Sequence, residues 1–456
     1  MYDLIIIGGG PGGYAAAIRA SQLDAKVALV ENDIMGGTCV NRGCIPIKVW
    51  TKAALSLRTI QTADVFGIKA KIDSIDFRTI QERIGGVTKD IRMGMVSLLG
   101  NYGVKKIEGK ATFKGPKEID VAGISYKADN FIIATGSKID TPAVPGLEDA
   151  LLDSDQALSL ESIPESVLVY GAGPIEVEFA TVLACFGCQV TLLSNGRRVL
   201  PMEDQDSNQR LTQVLRENGV TVILKQTLEA VIPVKKGFEC KLAGGKETSI
   251  IVEKVLCASR RPNTAGLGLE KAGIELNEDG SIKIDECLQT KVPGVFAIGD
   301  AIGKTMQSHA ASAMAVCASE NATGQNRVFP FNLVPRGAWS FTDVASVGLS
   351  EDEAEDMDIE TVVGEFPYAI NGLSMAINDT RGVVRIVTCE KYGKILGVQI
   401  VGPNANELIG EAVMAMQFEY TVSELASSIR VHPTLSENIV DAARDNEGWA
   451  LYLPKQ

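Results

Sequence analysis

Two cysteines five positions apart carry the clearest chemical signal in the chain. They lie in the run Gly36-Gly37-Thr38-Cys39-Val40-Asn41-Arg42-Gly43-Cys44-Ile45-Pro46-Ile47-Lys48. Glycines on both sides leave the backbone free to bring the sulfurs to disulfide geometry. Pro46 suits the first turn of a helix, which predicts Cys44 close to a helix N-terminus. The positive end of the helix dipole stabilises a thiolate there and lowers its pKa. Zinc is a poor reading, because no second cysteine pair or histidine lies at ligand spacing. The plainer alternative, two unconnected structural thiols, leaves the glycine frame without a purpose.

A base for thiol chemistry is offered by His432, directly before Pro433 and one helical turn ahead of Glu437. A carboxylate beyond an imidazole fixes its tautomer and raises its basicity, so the dyad can take a proton from an incoming thiol. A surface histidine capping a helix is the bland alternative. His309 is the only other histidine, which excludes a multi-histidine metal centre by count, and no metal is expected.

These groups need elements to hold them. Leu4–Ile7 reads as a strand, Gly8-Gly9-Gly10-Pro11-Gly12-Gly13 as a tight turn, 14–23 as a helix and 27–30 as a second strand ending at Glu31. Gly8, Gly10 and Gly13 permit close approach of backbone N–H groups to a pyrophosphate, and Glu31 can accept from a ribose diol. The pattern returns 163 positions later: strand 167–170, turn Gly171-Ala172-Gly173, helix 178–186 and strand 190–193. Gly8 to Glu31 spans 23 positions, as does Gly171 to Ser194, so two nucleotide-binding βαβ units are expected. Strands ending at glycine turns are also read at 130–133, before Ala134-Thr135-Gly136-Ser137, and at 295–298, before Gly299-Asp300. The proline-rich stretch 142–146 marks a boundary. From about Pro335 the chain reads as α+β, with paired strands at 383–388 and 395–401 and helices at 406–418 and 422–428.

Composition narrows the class. With 44 basic and 57 acidic residues the net charge is −13, which repels nucleic acid and anionic membrane, and neither is an expected partner. No apolar run has the length of a membrane span, and the N-terminus lacks the basic and small-residue features of a signal peptide. Nine cysteines are too few and too scattered for a disulfide scaffold, so reduced thiols in the cytoplasm are expected.

From Tyr2 to about Arg444 the chain resembles the flavin disulfide reductase family, and most closely its dihydrolipoyl-oxidising branch. The resemblance rests on the Gly8–Gly13 turn, the Cys39/Cys44 frame, residues 134–137, Arg260-Arg261-Pro262-Asn263-Thr264, Ala297-Ile298-Gly299-Asp300 and His432-Pro433-Thr434-Leu435-Ser436-Glu437. It implies an α/β fold with two Rossmann-like dinucleotide-binding domains, for FAD and NAD(P), and a C-terminal α+β dimerisation domain. The implied divisions are 1–147 for FAD, 148–270 for the nicotinamide nucleotide, 271–335 returning to FAD, and 336–456 for the dimer interface. FAD would be held by Gly8, Gly10, Gly13, Glu31, Thr38, Lys48, Thr135, Gly136 and Asp300, with Cys39 and Cys44 forming a disulfide beside the flavin. Cys44 would be the flavin-side thiol and Cys39 the one that exchanges with substrate. Lys48 would lie near the flavin and pair with Glu178. Ile47 stands where the family usually has serine or threonine. His432 would face the cysteines of the other subunit of a homodimer, and His309 is read as structural. The implied reaction oxidises dihydrolipoamide, or dihydrolipoyl groups on a carrier protein, through the disulfide and FAD to a nicotinamide.

The second nucleotide unit departs from that pattern. Glu176 stands where Gly13 does in the first copy, and Ser194 where Glu31 does. The NAD enzymes usually carry an acidic residue at the latter place, and Arg197 and Arg198 follow it closely. An arginine there can instead accept a 2′-phosphate. The expected nicotinamide set is Gly171, Gly173, Glu178, Ser194, Arg197 and Arg198, with NAD favoured slightly over NADP. Two alternatives stay open: an NADPH-dependent reductase of a small disulfide, and an FAD-holding subunit for a lipoylated partner that passes electrons to another acceptor. The aromatic, apolar tail Trp449-Ala450-Leu451-Tyr452-Leu453 is expected to pack on the dimer.

Overall fold

The computed structural model describes residues 1–454. Its first sheet has seven strands. Lys105–Glu108, Val27–Glu31, Tyr2–Ile7, Ile124–Ile133 and Val295–Ala297 run parallel, and Glu118–Val121 and Ala111–Gly115 extend it antiparallel. Leu4, Ile5, Ile6 and Ile7 are all buried, as a strand covered on both faces requires. Helices Pro11–Gln22 and Ser308–Ala322 pack against each other, the first through Ala16, Ala17 and Ala20. The last strand and the second helix of this layer therefore come from residues beyond 290.

The second sheet, in the order Thr221–Leu224, Gln189–Ser194, Ser166–Tyr170, Lys254–Cys257, Leu151–Asp153, is parallel throughout. It repeats the first at the level of single bonds: Gly8 N–H donates to Val30 O, and Gly171 N–H to Leu193 O, both at 2.8 Å. Its helix runs Pro174–Cys185, four residues earlier than the sequence suggested, because Pro174 occupies the first helical position after Gly173. A three-stranded antiparallel sheet, 227–252, is appended to it.

Five antiparallel strands form the third sheet, ordered Arg336–Ala338, Val344–Gly348, Ile395–Val401, Val383–Cys389, Thr361–Pro367. Helices Ala405–Gln417 and Glu437–Asn446 pack on it and bury Ile409, Ala412, Ile439, Ala442 and Ala443. Among the described residues no helix is long and apolar enough to cross a membrane. In the tail, Leu453 packs on the core of this third unit, while Leu451 and Tyr452 are exposed.

Candidate active site

The first glycine turn depends on its lack of side chains. Gly8 has φ +108°, and a Cβ there would run into the Ala134 carbonyl. A Cβ at Gly13 would run into the Gly8 carbonyl, so helix Pro11–Gln22 can seat on the turn only through glycine. Glu31 is fixed beside the turn, its Oε2 accepting from Gly9 N–H at 2.6 Å and its Oε1 from Asp33 N–H at 2.8 Å. Gly8, Gly10, Glu31, Thr38, Thr135, Gly136 and Asp300 all line one cavity of about 1680 Å³, which also opens on Cys39, Cys44 and Lys48.

That cavity suits FAD. Its volume exceeds the ~300–1000 Å³ of ordinary small-ligand sites, as a dinucleotide requires. Thr135 Oγ1 is buried on its wall without a hydrogen-bond partner in the protein, so a bound polar group would satisfy it. Asp300 accepts from Ser137 Oγ at 2.5 Å, and Ser137 Oγ in turn accepts from Arg260 Nε at 2.8 Å. Burial pushes the Asp300 carboxyl above its ordinary value, and these bonds oppose the rise.

Cys39 lies in the short helix Gly37–Arg42, and Cys44 is the first residue of helix Cys44–Gln61. The structure describes both residues as free thiols, the reduced form of the pair. They are unlike in acidity. The hydrogen bond from Cys39, helped by Ser308, Lys48 and its own backbone N–H, lowers Cys44 to about 6 against the rise that burial causes. Cys39 is pushed up, first by donating that bond and then by burial. Cys44 is therefore the more acidic of the two thiols, and its Sγ lies 3.4 Å from Ser308 Oγ.

Lys48 follows one turn after Cys44. Its Nζ lies 2.5 Å from Glu178 Oε1 and 3.6 Å from the centre of the Trp339 ring. Thr51 Oγ1 donates to the same Glu178 oxygen at 2.9 Å. The cation is therefore fixed by a carboxylate from the second unit and an aromatic face from the third. Asp343, facing Lys48, Asn406 and Ser340, is pushed up to about 6 by burial. Ser308, Thr51, Trp339 and Asp343 escaped the sequence reading, because nothing in their spacing relates them to Cys44 or Lys48. His309, which lines the cavity, has its Nε2 2.8 Å from the Pro335 carbonyl.

His432 and Glu437 meet as a pair, Nδ1 to Oε1 at 2.9 Å, and Glu437 Oε2 accepts from Thr434 N–H at 2.8 Å. With Nδ1–H donating to the carboxylate, Nε2 keeps its lone pair. The His432–Pro433 peptide bond is cis. The structure does not bring this dyad to the cysteines of its own chain: the His432 side chain is 77% exposed and lies outside the cavity lining.

The second glycine turn is different. Gly173 and Glu178 reach the cavity, but Gly171, Ser194, Arg197 and Arg198 do not line it. Ser194 is buried with its Oγ accepting from Gly196 N–H at 3.1 Å, and Arg197 is exposed. The Glu176 side chain, 5% exposed, lies folded back on the turn. A methyl group added at Gly171 would stand 2.8 Å from its Cγ and 3.1 Å from its Oε1, and one at Gly173 2.8 Å from its Oε2. In this conformation the turn does not fit a nucleotide pyrophosphate.

Known proteins resemble this chain over nearly its whole length. Residues 2–315 match the family described as pyridine nucleotide-disulphide oxidoreductase, and residues 334–443 match that family's dimerisation domain. The chain is 39% identical to a dihydrolipoyl dehydrogenase of Thermus scotoductus over 99% of both chains. It is 35% identical to one of Geobacillus stearothermophilus, over 99% of this chain and 97% of that one. Among solved structures, the Cu(II) complex of the HOCl-induced flavoprotein disulfide reductase RclA from Escherichia coli aligns with TM-score 0.86 at 27% identity, covering 97% of this chain and 98% of that one.

Proposed function

The chain belongs to the pyridine nucleotide-disulphide oxidoreductase family, and on that footing we propose that it is an FAD-dependent oxidoreductase of the dihydrolipoyl dehydrogenase type. Its substrate is dihydrolipoamide or a dihydrolipoyl group on a carrier protein, and its acceptor a nicotinamide nucleotide. The observation that carries this reading is the placement of the thiol pair: Cys39 and Cys44, the latter opening helix Cys44–Gln61, stand at one wall of a dinucleotide-sized cavity beside Lys48.

The unequal pair suits thiol exchange. From the disulfide state, a substrate thiolate attacks Cys39 Sγ, the Cys39–Cys44 bond breaks, and Cys44 leaves as the better leaving group. The second substrate thiolate then attacks the substrate sulfur of the mixed disulfide. A cyclic disulfide forms and Cys39 is released. The substrate gives up two protons and two electrons. One proton is kept by Cys39, and Cys44 stays a thiolate. The other goes to Nε2 of His432 of the partner subunit, where Glu437 of the partner subunit stabilises the resulting cation. Bound FAD would supply the two-electron relay from the dithiol to the final acceptor. Gly8, Gly10, Glu31, Thr38, Thr135, Gly136 and Asp300 would hold it, Gly13 would seat the helix beneath the turn, and Lys48 would place a positive charge beside it.

A homodimer is part of this proposal, since the dyad of one chain lies apart from its own cysteines. A reducing compartment such as the cytoplasm suits a chain whose nine cysteines are few and scattered for its length. The test is anaerobic spectroscopy of the flavin-loaded protein with dihydrolipoamide as donor and NAD or NADP added separately. Bleaching of the flavin by dihydrolipoamide, followed by the appearance of reduced nicotinamide, is the expected result. A flavin that dihydrolipoamide leaves oxidised sinks the reading.

A further inference from the structure

The two glycine turns share a fold and differ in what lies upon them. Both begin with a glycine whose N–H bonds the neighbouring strand at 2.8 Å, and both have glycine before a helix that starts at proline. In the first, the position after Pro11-Gly12 is Gly13, and helix and turn meet backbone to backbone. In the second, the corresponding residue is Glu176, in the first turn of helix Pro174–Cys185. Its carboxyl does not point to solvent. It turns back over Gly171 and Gly173, at the separations given above, and is 95% buried by exposure. The groups facing it are the backbone N–H of Gly173, its own backbone N–H and the Ser259 hydroxyl.

The two N–H groups are ones a helix N-terminus offers to an anion, and Ser259 adds a side-chain donor. A carboxylate is planar and singly charged, yet it meets the same need as a phosphate: oxygens aimed at unpaired N–H groups and at the positive end of the dipole. Burial pushes the Glu176 carboxyl above its ordinary value, but charged or neutral it fills the cradle that a second oxygen-bearing group would need, and any charge it carries adds repulsion. We propose that Glu176 is a tethered occupant of the second glycine turn, taking the donors that the pyrophosphate of a nicotinamide nucleotide would use and so setting how weakly the chain binds that nucleotide. This rests on the function proposed above for the choice of ligand, and it adds a specificity-determining residue to it. The effect falls on NAD and NADP alike, because the pyrophosphate is common to both. Nucleotide entry requires the Glu176 side chain to swing out of the turn.

The test uses the flavin-loaded, full-length protein and a probe that carries the pyrophosphate without the reacting ring, ADP-ribose. Its dissociation constant is measured by calorimetry for the wild type and for Glu176→Gly, which restores the residue type of the first turn. Binding at least about tenfold tighter in the variant is expected, equal to about 1.4 kcal/mol. Equal or weaker binding overturns the proposal. Glu176→Ala, read by the same criterion, replaces the glycine variant if that one fails to retain flavin. Bleaching of the flavin by dihydrolipoamide is recorded on the same wild-type sample. If that fails while the variant binds ADP-ribose more tightly, the substrate reading is wrong and the role of Glu176 stands. If bleaching proceeds and binding does not tighten, the reverse holds.

Discussion

At the scale of single residues, the site separates two chemically identical side chains by where one proton rests. Cys44 receives a hydrogen bond from Cys39, and that bond is the largest reason its pKa falls to about 6. Because the folded-state value lies below the ordinary thiol value, the thiolate is present above pH 6 and is lost as pH falls through it. In the flavin-loaded dithiol enzyme, the long-wavelength absorption of a thiolate beside flavin should titrate away with a midpoint near pH 6. Cys44→Ser should abolish the band. Cys39→Ala removes the donor and should move the midpoint upward, and a midpoint unchanged in that variant would contradict the assignment. Cys39, Cys44 and the His432–Glu437 dyad could be read from the sequence because each is a short-range pattern of reactive residue types. Ser308 and Trp339 could not. They reach Cys44 and Lys48 across 264 and 291 positions of chain, and serine or tryptophan alone carries no mark of what it will face. Glu176 was legible as a misfit in a glycine pattern, but its backward fold onto the turn was visible only in the structure.

At the scale of elements, one ion pair ties the redox helix to the second nucleotide unit. Lys48 lies on helix Cys44–Gln61 and Glu178 on helix Pro174–Cys185, and Thr51 shares the same carboxylate oxygen. Glu178→Ala leaves a partly buried ammonium without its carboxylate, while the Thr51 hydroxyl keeps its bond to the Ile47 carbonyl. The loss should be about 1–3 kcal/mol, read as a fall of roughly 2–6 °C in apparent Tm. Glu178→Gln keeps an acceptor for both donors and should lose less. A larger loss in the glutamine variant would count against the bonding scheme. The two parallel sheets were readable as a repeat because glycine turns punctuate buried apolar strands at equal intervals. Helix Phe77–Asn101 and the antiparallel sheet at 227–252 were not, since neither has a spacing tied to a chemical group. The helix keeps only Ile84, Thr88, Met95 and Leu99 buried along 25 residues, a thin stripe that a polar sequence hides.

At the scale of the whole molecule, the proposed site is one that two chains complete. The dyad at 432–437 lies within the dimerisation domain, and the strongly exposed Ile429 and Val431 stand beside it. A twofold dimer would place each dyad at the other chain's cysteines. Subunits carrying Cys44→Ser and subunits carrying His432→Ala should each be inactive alone. Mixed and reassembled in equal amounts, half the dimers are mixed, and each of these holds one intact site. About a quarter of wild-type activity should return. Failure to recover any activity from verified mixed dimers would place the dyad at its own chain's site.

The first sheet closes with Val295–Ala297 against Ile124–Ile133, while every strand of the second parallel sheet lies between residues 151 and 257. During synthesis, the ribosome delivers the second unit whole before the first is finished. From residue 133 to residue 297 are 164 residues, or about 8–33 s at the ~5–20 residues per second of translation. For that interval Phe131, Ile132 and Ile133 wait for their neighbouring strand, so the nascent chain keeps an open, apolar sheet edge, a template for wrong pairing until residue 297 is made.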